Sequence, residues 1–238
     1  MDEGENMALR DADQSLSGAA LIFDLDGTLF DTSFDLAAAM NIALDHFGYQ
    51  AIEPARVRDL VGFGARAMLE RGFLIERGEP ADEVMIDQAR EIFLDYYQRH
   101  IAVHTTAFPH VIEMIEGYRR KGAKIAICTN KREDNARALV RELGYFHLFD
   151  AIVGGDTALA AKPDPAPVRL ALELLGEKVD ARRAIFIGDS DTDIGASVAA
   201  GLPILVASFG YGPVTRSTEV IGIFDHYRDC EEMINAIW

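Results

Sequence analysis

The chain has 238 residues, 49% of them hydrophobic, and a formal net charge of −16. This length accommodates one large domain or two modest ones, and no run approaches the ~20 consecutive apolar residues of a membrane-spanning helix. The negative charge disfavours binding to nucleic acid or to an anionic membrane surface, because no basic patch offsets it.

The first 18 residues are acidic and polar and lack the basic and apolar regions of a signal peptide. We therefore expect residues 1–18 to form a mobile tail ahead of the fold. The two cysteines, Cys128 and Cys230, cannot build a disulfide framework. A reducing, cytoplasmic location fits this composition.

The first predicted strand, residues 20–23, runs directly into two carboxylates, Asp24 and Asp26. Buried acids are costly unless they are paired or bind a metal. Residues two apart in an extended chain point to the same side, and paired carboxylates suit a hard cation with oxygen ligands. The pattern favours a metal site, although DxDG also occurs in calcium loops and ordinary turns.

From about residue 32 to residue 104 the pattern is helical and contains no convincing strand. Apolar faces of this kind need a partner, and the simplest partner is one another. We predict an all-helical insertion, residues 32–104, between the first two strands of the core. The two apolar stripes are Leu36, Met40, Ala43, Leu44 and Phe47, and Ile86, Ala89, Phe93, Tyr96 and Tyr97.

Short apolar runs alternate with amphipathic helices through the rest of the chain. Runs that are continuous, rather than alternating with polar residues, are typical of strands buried on both faces of a parallel sheet. The alternation predicts an α/β fold with a Rossmann-like parallel sheet, built from residues 19–31 and 105–238. The later predicted strands are residues 125–128, 151–153, 184–187 and 204–206.

Polar groups follow these later strands as well. Thr129 and Asn130 suit phosphate oxygens, but a helix cap explains them equally well, and Lys162 taken alone resembles a surface lysine. Residues 188–193 contain three acids, and a helix N-cap, expected at Asp191, accounts for only one of them. Like charges this close together require a cation.

All these groups fall at the carboxyl ends of strands, where open α/β sheets bind ligands. One crevice would then hold several carboxylates, a hydroxyl, an amide and a lysine. This inventory matches magnesium-assisted phosphoryl transfer, in which positioning and charge neutralisation provide most of the catalysis.

Taken in order, DLDGT at 24–28, TN at 129–130, KP at 162–163 and GDSDTD at 188–193 resemble the four motifs of the haloacid dehalogenase superfamily. Within it, DTSFDLAAAMNIAL, VRDLVGFGA and GGDTALAAKPDPAPV are similar to phosphoglycolate phosphatases. The resemblance covers Leu21 to about Gly212 and implies a cytoplasmic phosphatase of small phosphorylated metabolites, with 2-phosphoglycolate as the leading substrate. It also implies that the helical insertion is a cap domain. His110 departs from the pattern, because glycine is expected after Pro109.

The resemblance implies specific roles. Asp24 would be the nucleophile that forms an aspartyl-phosphate, and Asp26 the general acid and then the base. Mg²⁺ would be held by Asp24, the backbone carbonyl of Asp26, and Asp189. The groups assigned to the phosphoryl group are Thr129, Asn130 and Lys162.

Several alternatives are weighed against this hypothesis. Dehalogenases of the superfamily lack the second acid that Asp26 supplies, and phosphonate hydrolases need a cap lysine that residues 31–104 do not contain. A nucleotide-binding module is disfavoured because no GxGxxG follows the first strand. A sugar-phosphate phosphatase or mutase and a pyrophosphatase stay open. So does the role of Asp193, which either lies near the metal or positions Lys162.

The insertion offers one candidate loop for substrate recognition, residues 62–66. Because the insertion has no lysine, a substrate carboxylate would be bound by Arg66 or by backbone N–H groups of the Gly62–Gly64 turn. An ordinary turn between helices, with Arg66 exposed, explains the loop equally well. The sequence carries no signal of oligomeric state.

Overall fold

The computed structural model of the chain describes residues 16–238, so the tail predicted for residues 1–18 lies almost entirely outside the described residues. Among the described residues, no helix combines the length and the apolar character needed to cross a membrane. The strands are β1 (Ala20–Phe23), β2 (Phe30–Asp31), β3 (Thr106–Ala107), β4 (Lys124–Cys128), β5 (Ala151–Val153), β6 (Ala184–Gly188), β7 (Ile204–Ala207) and β8 (Gly222–Phe224). The α-helices are α1 (Ser33–His46), α2 (Pro54–Arg58), α3 (Gly64–Arg77), α4 (Glu83–Arg99), α5 (Val111–Arg120), α6 (Glu133–Glu142), α7 (Ala166–Leu175), α8 (Asp191–Ala200) and α9 (Tyr227–Ile237).

A six-stranded parallel sheet forms the centre of the molecule, in the order β5-β4-β1-β6-β7-β8. The predicted α/β, Rossmann-like fold is therefore confirmed. Each strand predicted from a continuous apolar run forms within one residue of its expected bounds. The prediction missed β8, an edge strand in which Ile223 is exposed and Phe224 is buried, because Gly222 interrupts the apolar stretch of residues 220–224.

Helices cover both faces of the sheet, which explains why its strands are apolar on both sides. Alternate residues of β1 enter opposite layers, with Phe23 in one apolar cluster and Ile22 in the other. The Phe23 layer contains α5, α6 and α9, represented by Met114 and Ile234. The Ile22 layer contains α7 and α8, represented by Val168.

The segment between β2 and β3 is helical, as the sequence predicts. Within this segment α1 packs most extensively against α4, and α3 also packs against α4. The two predicted stripes supply the buried side chains, including Met40 and Leu44 on α1 and Phe93 and Tyr97 on α4. The apolar faces of these helices therefore pack on one another and on the side chains of the adjoining sheet layer.

The chain leaves the sheet and returns to it through two paired segments, β2 and β3, which run antiparallel. Asp35, in the first turn of α1, fixes the return segment. Its carboxylate accepts hydrogen bonds from the backbone N–H groups of His104 (3.0 Å) and Thr105 (2.9 Å) and from the Thr105 hydroxyl (2.7 Å). Asp35 is buried, so these donors satisfy a charge that water does not reach.

His110, the residue that departs from the expected glycine, adopts a left-handed backbone conformation with a φ of 72°. Glycine reaches this region without the steric cost that a Cβ brings. Here the imidazole Nε2 lies 2.9 Å from Glu231 Oε2 on α9, and this contact fixes the side chain against the last helix. The presence of His110 in place of glycine therefore affects the start of α5 and not the carboxyl ends of the sheet strands.

Asp35→Ala should lower the free energy of unfolding by roughly 2–4 kcal/mol, because it leaves buried donors of His104 and Thr105 without an acceptor. Urea titration followed by circular dichroism measures the change. The matched control is Asp45→Ala on the exposed side of the same helix, which should stay within about 0.5 kcal/mol of the wild type. Equal effects of the two substitutions would contradict the clamping role of Asp35.

Candidate active site

The carboxyl ends of three adjacent strands bring the predicted polar residues together. Asp24 directly follows β1, Thr129 directly follows β4 and Asp189 directly follows β6, and the three strands are neighbours in the order β4-β1-β6. Because all three are parallel, their ends meet at one edge of the sheet. The loop after β5 delivers Lys162 to the same edge.

Asp24 lies at the centre of this edge. Its backbone N–H donates to the carbonyl of Ile187 at 2.9 Å, which extends the pairing of β1 with β6 by one residue. The side chain is buried, and Lys162 Nζ lies 2.9 Å from Oδ1. The same ammonium also donates hydrogen bonds to the Cys128 carbonyl and to Asp193. Burial raises the pKa of Asp24 above its usual range, against the opposing effect of Lys162.

Asp189 is held by donors from two distant parts of the chain. Its Oδ1 accepts from the Thr28 hydroxyl at 2.8 Å, and its Oδ2 accepts from the backbone N–H of Tyr211 at 2.7 Å and of Gly212 at 3.2 Å. A Cβ on Gly210 would lie 2.1 Å from Asp189 Cβ, so glycine allows this loop to close on the carboxylate. The side chain therefore has a fixed orientation.

Asp193 holds Lys162 in place and also belongs to the group of acids around Asp24. Its Oδ1 accepts from Lys162 Nζ at 2.6 Å. Its Oδ2 accepts from the backbone N–H groups of Asp189 and Ser190 and from the Ser190 hydroxyl, within 3.1 Å. Lys162 Nζ also donates to the carbonyl of Cys128 at 2.7 Å.

The expectation that Asp191 caps the following helix is wrong. Ser190 is the N-cap residue of α8, and Asp191 is its first residue. The Asp191 carboxylate turns outward and accepts from the Thr215 N–H and hydroxyl. Asp191 therefore fixes a later loop and stays apart from the acidic cluster.

Three buried carboxylates, those of Asp24, Asp189 and Asp193, each place an oxygen within 4.8 Å of the others. Lys162 is the single ammonium bonded within this group, so negative charge is in excess. Burial raises the pKa of Asp189 above its usual range, and the nearby charges of Asp193 and Asp24 raise it further. An excess of buried carboxylate oxygens of this kind fits a hard divalent cation.

Asp26 belongs to a second cluster, which it forms with Thr32 and Lys131. Its Oδ1 accepts from the Thr32 hydroxyl at 2.7 Å, and both of its oxygens lie 2.9 Å from Lys131 Nζ. The side chains of Asp26 and Lys131 are 11% and 6% exposed. Its carboxylate therefore lies outside the three-acid group.

Thr129 and Asn130 differ in whether the side chain keeps a hydrogen-bonding group that a ligand could use. The Thr129 oxygen accepts from the backbone N–H of Lys131 at 3.1 Å, and its hydroxyl hydrogen has no acceptor within residues 16–238. The Asn130 amide exchanges hydrogen bonds with the backbone of Lys162, at 2.9 and 3.0 Å, and donates to the Gly62 carbonyl at 2.9 Å. Asn130 thus ties the Lys162 loop to the segment before α3, and its side chain is not free for phosphate.

A cavity of about 280 Å³ opens over these groups, between the sheet edge and the helices of residues 33–99. The sheet side contributes Asp24, Asp26, Thr129, Asn130 and Lys131. The helical side contributes Leu36, Met68, Arg90, Phe93 and Tyr97. The cavity is therefore polar at its floor, largely apolar on its opposite wall, and sized for a small molecule.

Arg66, the cationic residue suggested by the sequence, lines this cavity but is engaged elsewhere. Its guanidinium is bonded to Glu70 at 3.0 Å and to Asp87 at 2.6 Å, and the side chain is 44% exposed. Gly62 and Gly64 also line the cavity.

Sequence reasoning missed the residues that hold the site from a distance. Thr28 and Tyr211 orient Asp189, and Thr32 and Lys131 orient Asp26. Thr28 is the last residue of the DLDGT motif and Lys131 directly follows the TN motif, which was the available signal. Tyr211 had no such signal, because its partners lie 22 to 180 residues away in the chain.

Comparison with known proteins shows the family of the chain. The family model described as haloacid dehalogenase-like hydrolase matches residues 21–207. A phosphoglycolate phosphatase from Mesorhizobium japonicum is 40% identical, over 89% of this chain and 92% of its own length. One from Caulobacter vibrioides is 41% identical, over 82% of this chain and 81% of its own.

Solved structures agree with this relationship. The crystal structure of a predicted phosphoglycolate phosphatase from Haemophilus somnus superposes with a TM-score of 0.82 at 26% identity. The match covers 92% of this chain and 98% of that one. Since both the sequence match and the fold extend over most of its length, the chain belongs to the haloacid dehalogenase-like hydrolase family.

Proposed function

We propose that the protein is a magnesium-dependent phosphatase that hydrolyses a small phosphate monoester through a phosphorylated Asp24. The observation that carries this proposal is the buried carboxylate of Asp24, which lines the cavity and has its Oδ1 2.9 Å from Lys162 Nζ. A buried carboxylate is costly as plain structure unless it is paired. Its other oxygen, Oδ2, accepts no hydrogen bond within residues 16–238, so no donor has to be displaced before it attacks phosphorus.

In the first step, an Asp24 carboxylate oxygen attacks the phosphorus atom and the ester oxygen leaves. Lys162 and the free hydroxyl of Thr129 bind the phosphoryl oxygens and so stabilise the charge that develops on them. Lys162 is fixed for this purpose by Asp193 and by the Cys128 carbonyl. The side-chain amide of Asn130 positions Lys162 through two hydrogen bonds to the backbone of Lys162.

We assign the proton transfer of each of the two steps to Asp26. It donates a proton to the leaving oxygen in the first step and removes one from the attacking water in the second. The water attacks phosphorus, the bond to Asp24 breaks, and inorganic phosphate leaves. Thr32 and Lys131 hold the Asp26 carboxylate beside Asp24 during both steps.

Asp24, Asp189 and the backbone carbonyl of Asp26 are the groups that would hold Mg²⁺. The ion, when bound, neutralises charge on the phosphoryl group and on the acids around it. The excess of carboxylates over ammonium groups and the raised pKa of Asp189 both support a cation here.

The helices of residues 33–99 are proposed to act as a cap over the site, within a cap domain of residues 32–104. Both connections of this segment, β2 and β3, lie next to the loop that carries Asp24 and Asp26. Helices joined in this way can cover the cavity and exclude water other than the attacking molecule.

2-Phosphoglycolate is the proposed substrate. The two curated relatives named phosphoglycolate phosphatase are 40% and 41% identical to this chain. A cavity of about 280 Å³ that is closed over by helices suits a small ester better than a polymer.

Asp24→Asn should lower kcat by a factor on the order of 10⁴ or more, because the amide is a poor nucleophile. Steady-state release of phosphate from p-nitrophenyl phosphate and from 2-phosphoglycolate measures this loss. The control is Asp45→Asn, an exposed residue of α1 that should keep full activity. Turnover near the wild-type rate by a folded Asp24→Asn preparation would reject the covalent mechanism.

Removal of metal with EDTA should abolish activity, and added Mg²⁺ should restore it. Mg²⁺ should also raise the Tm of the chelated protein by roughly 5–10 °C at a hundred times its Kd, since only the folded state gathers the ligands. Differential scanning fluorimetry measures this shift independently of catalysis. Asp189→Asn should remove most of it.

The rise in Tm that Mg²⁺ produces should depend on pH in a definite direction. Burial raises the pKa of Asp24 and of Asp189 above the ordinary value, so the chelated folded protein holds protons that the unfolded chain has released. Their contribution to stability should then fall as pH rises above the ordinary range of aspartate, and Mg²⁺ should offset that loss. The Tm gain should be larger at about pH 8 than at about pH 5.5, and the opposite order would contradict the proposed ligands.

A further inference from the structure

The cavity wall carries four cationic side chains, and they differ in how free they are to bind a ligand. Arg66 is bonded to Glu70 and Asp87. Arg132 is about half exposed and lies 3.4 Å from Asp156. The other two are Arg90, on α4, and Lys131, which follows the strand end of β4.

Arg90 and Lys131 lie at different depths. Arg90 precedes Tyr97 by seven residues on α4, which corresponds to about 10 Å along the helix axis. Tyr97 is at the Lys131 end of the cavity, since Lys131 Nζ lies 4.7 Å from the centre of its ring. Arg90 is only partly buried and has no hydrogen bond or ion pair within residues 16–238. Arg90 therefore belongs to the outer part of the cavity and Lys131 to its floor.

Lys131 is buried beside the proposed general acid. Its ammonium nitrogen lies 2.9 Å from each oxygen of Asp26. An ammonium group has three donors, so the two contacts with Asp26 leave a third, which faces Tyr97. Lys131 therefore places a positive charge between Asp26 and Tyr97, next to the position proposed for the leaving group.

Tyr97 adds a second donor at the same place. It is among the most deeply buried side chains and lines the cavity, yet its hydroxyl has no hydrogen-bond partner among the described residues. An orphaned buried hydroxyl is costly in plain structure. Its position next to Lys131 indicates that an acceptor from a ligand completes it.

We propose that Lys131 and the Tyr97 hydroxyl together bind the anionic group of the leaving alcohol, and that this pair sets the preference for phosphorylated acids. The inference rests on the proposed function, because it places the phosphoryl group at Asp24. In a phosphorylated two-carbon acid, the carboxylate is separated from the ester oxygen by a single methylene. The carboxylate therefore lies close to the residue that protonates that oxygen, which is Asp26, and within reach of Lys131.

This assignment replaces Arg66 as the residue that binds the substrate carboxylate. Asp87, which holds the Arg66 guanidinium, precedes Tyr97 by ten residues, or about 15 Å of helix. A two-carbon group attached to a phosphate at Asp24 does not span such a distance. Arg66 and Arg90 are then available only to longer ligands or to an anion approaching the cavity.

The test compares 2-phosphoglycolate with its carboxamide analogue, which is neutral but nearly the same shape. The quantity measured is the ratio of kcat/KM for the acid to kcat/KM for the amide. Lys131→Met should lower this ratio about 10- to 100-fold, as expected for loss of a charge-assisted hydrogen bond. Tyr97→Phe, which keeps the ring and the lysine, should lower it about 2- to 10-fold. Lys131→Arg should restore part of the ratio.

The ratio separates recognition from the contact between Lys131 and Asp26. If Lys131 acted only by holding Asp26, both substrates would lose activity equally and the ratio would not change, which would overturn the inference. The matched controls are Arg66→Gln and Arg90→Met, which should leave the ratio within about twofold of the wild type. If either control variant lowered the acid-to-amide ratio as much as Lys131→Met, that result would also overturn the inference.

Failure of the inference and failure of the proposed function give different results. If Lys131→Met does not fold, as judged by circular dichroism, Tyr97→Phe and Lys131→Arg carry the test, and an unchanged ratio in both rejects the inference. A wild-type ratio near one would reject it together with phosphoglycolate as the substrate. Hydrolysis of p-nitrophenyl phosphate that depends on Asp24 would still support the phosphatase chemistry in that case. Absence of any hydrolysis by the wild type would reject the proposed function itself.

Discussion

The excess of buried negative charge at the carboxyl edge of the sheet constrains most of the surrounding structure. Carboxylate oxygens of Asp24, Asp189 and Asp193 lie within 4.8 Å of one another, and Lys162 pairs with Asp24 and Asp193. Desolvating such charges costs several kcal/mol per ion unless other donors compensate. The compensation comes from Thr28, from the Tyr211 loop and from the first turn of α8. Each of these elements lies where it does because a carboxylate needs its hydrogen-bond donor.

The two halves of the cavity are built by different physical means. At the sheet edge the side chains are fixed by short hydrogen bonds between groups far apart in sequence, as Thr28 fixes Asp189. The helical wall is formed mainly by apolar packing, with Leu36, Met68 and Phe93 facing the cavity. Packed apolar surfaces tolerate exchange of side chains of similar volume, whereas a hydrogen-bonded carboxylate cluster does not. Phosphate chemistry is therefore tied to the floor, and the choice of leaving group to the wall and its junction with the floor.

The sequence predicts the sheet and the acids of the site for the same reason. Continuous apolar runs such as Ala20–Phe23 mark buried parallel strands, and a carboxylate directly after such a run stands out. It does not predict the edge strand β8, where only Phe224 of the pair Ile223–Phe224 is buried. The N-cap of α8 was misassigned to Asp191 because Ser190 and the acids beside it are all good capping residues.

Residues that act through tertiary contacts were harder to predict. Tyr97 fits an apolar helical stripe, and nothing in that spacing reveals that its hydroxyl lacks a partner. Tyr211 lies in a glycine-rich loop, yet its N–H holds Asp189 and its hydroxyl donates to Asp31 at 2.5 Å. These contacts of Tyr211 join residues 22 and 180 positions apart in the chain, which no local pattern encodes. Arg66 shows the converse, because the sequence suggests a ligand-binding cation but not the two carboxylates that neutralise it.

The pairing of β2 with β3 means that the sheet is joined to the intervening helices by two adjacent strands of two residues each. The entropy lost in closing a loop grows only with the logarithm of its length, so doubling the segment would cost about 0.6 kcal/mol. Neither the register of β1 nor the placement of Asp24 depends on how many residues lie between the two strands. Insertions, deletions or wholesale exchange of the helices can therefore accumulate over evolution while the acidic floor stays unchanged. A fold organised in this way can acquire new substrates without rebuilding its catalytic apparatus.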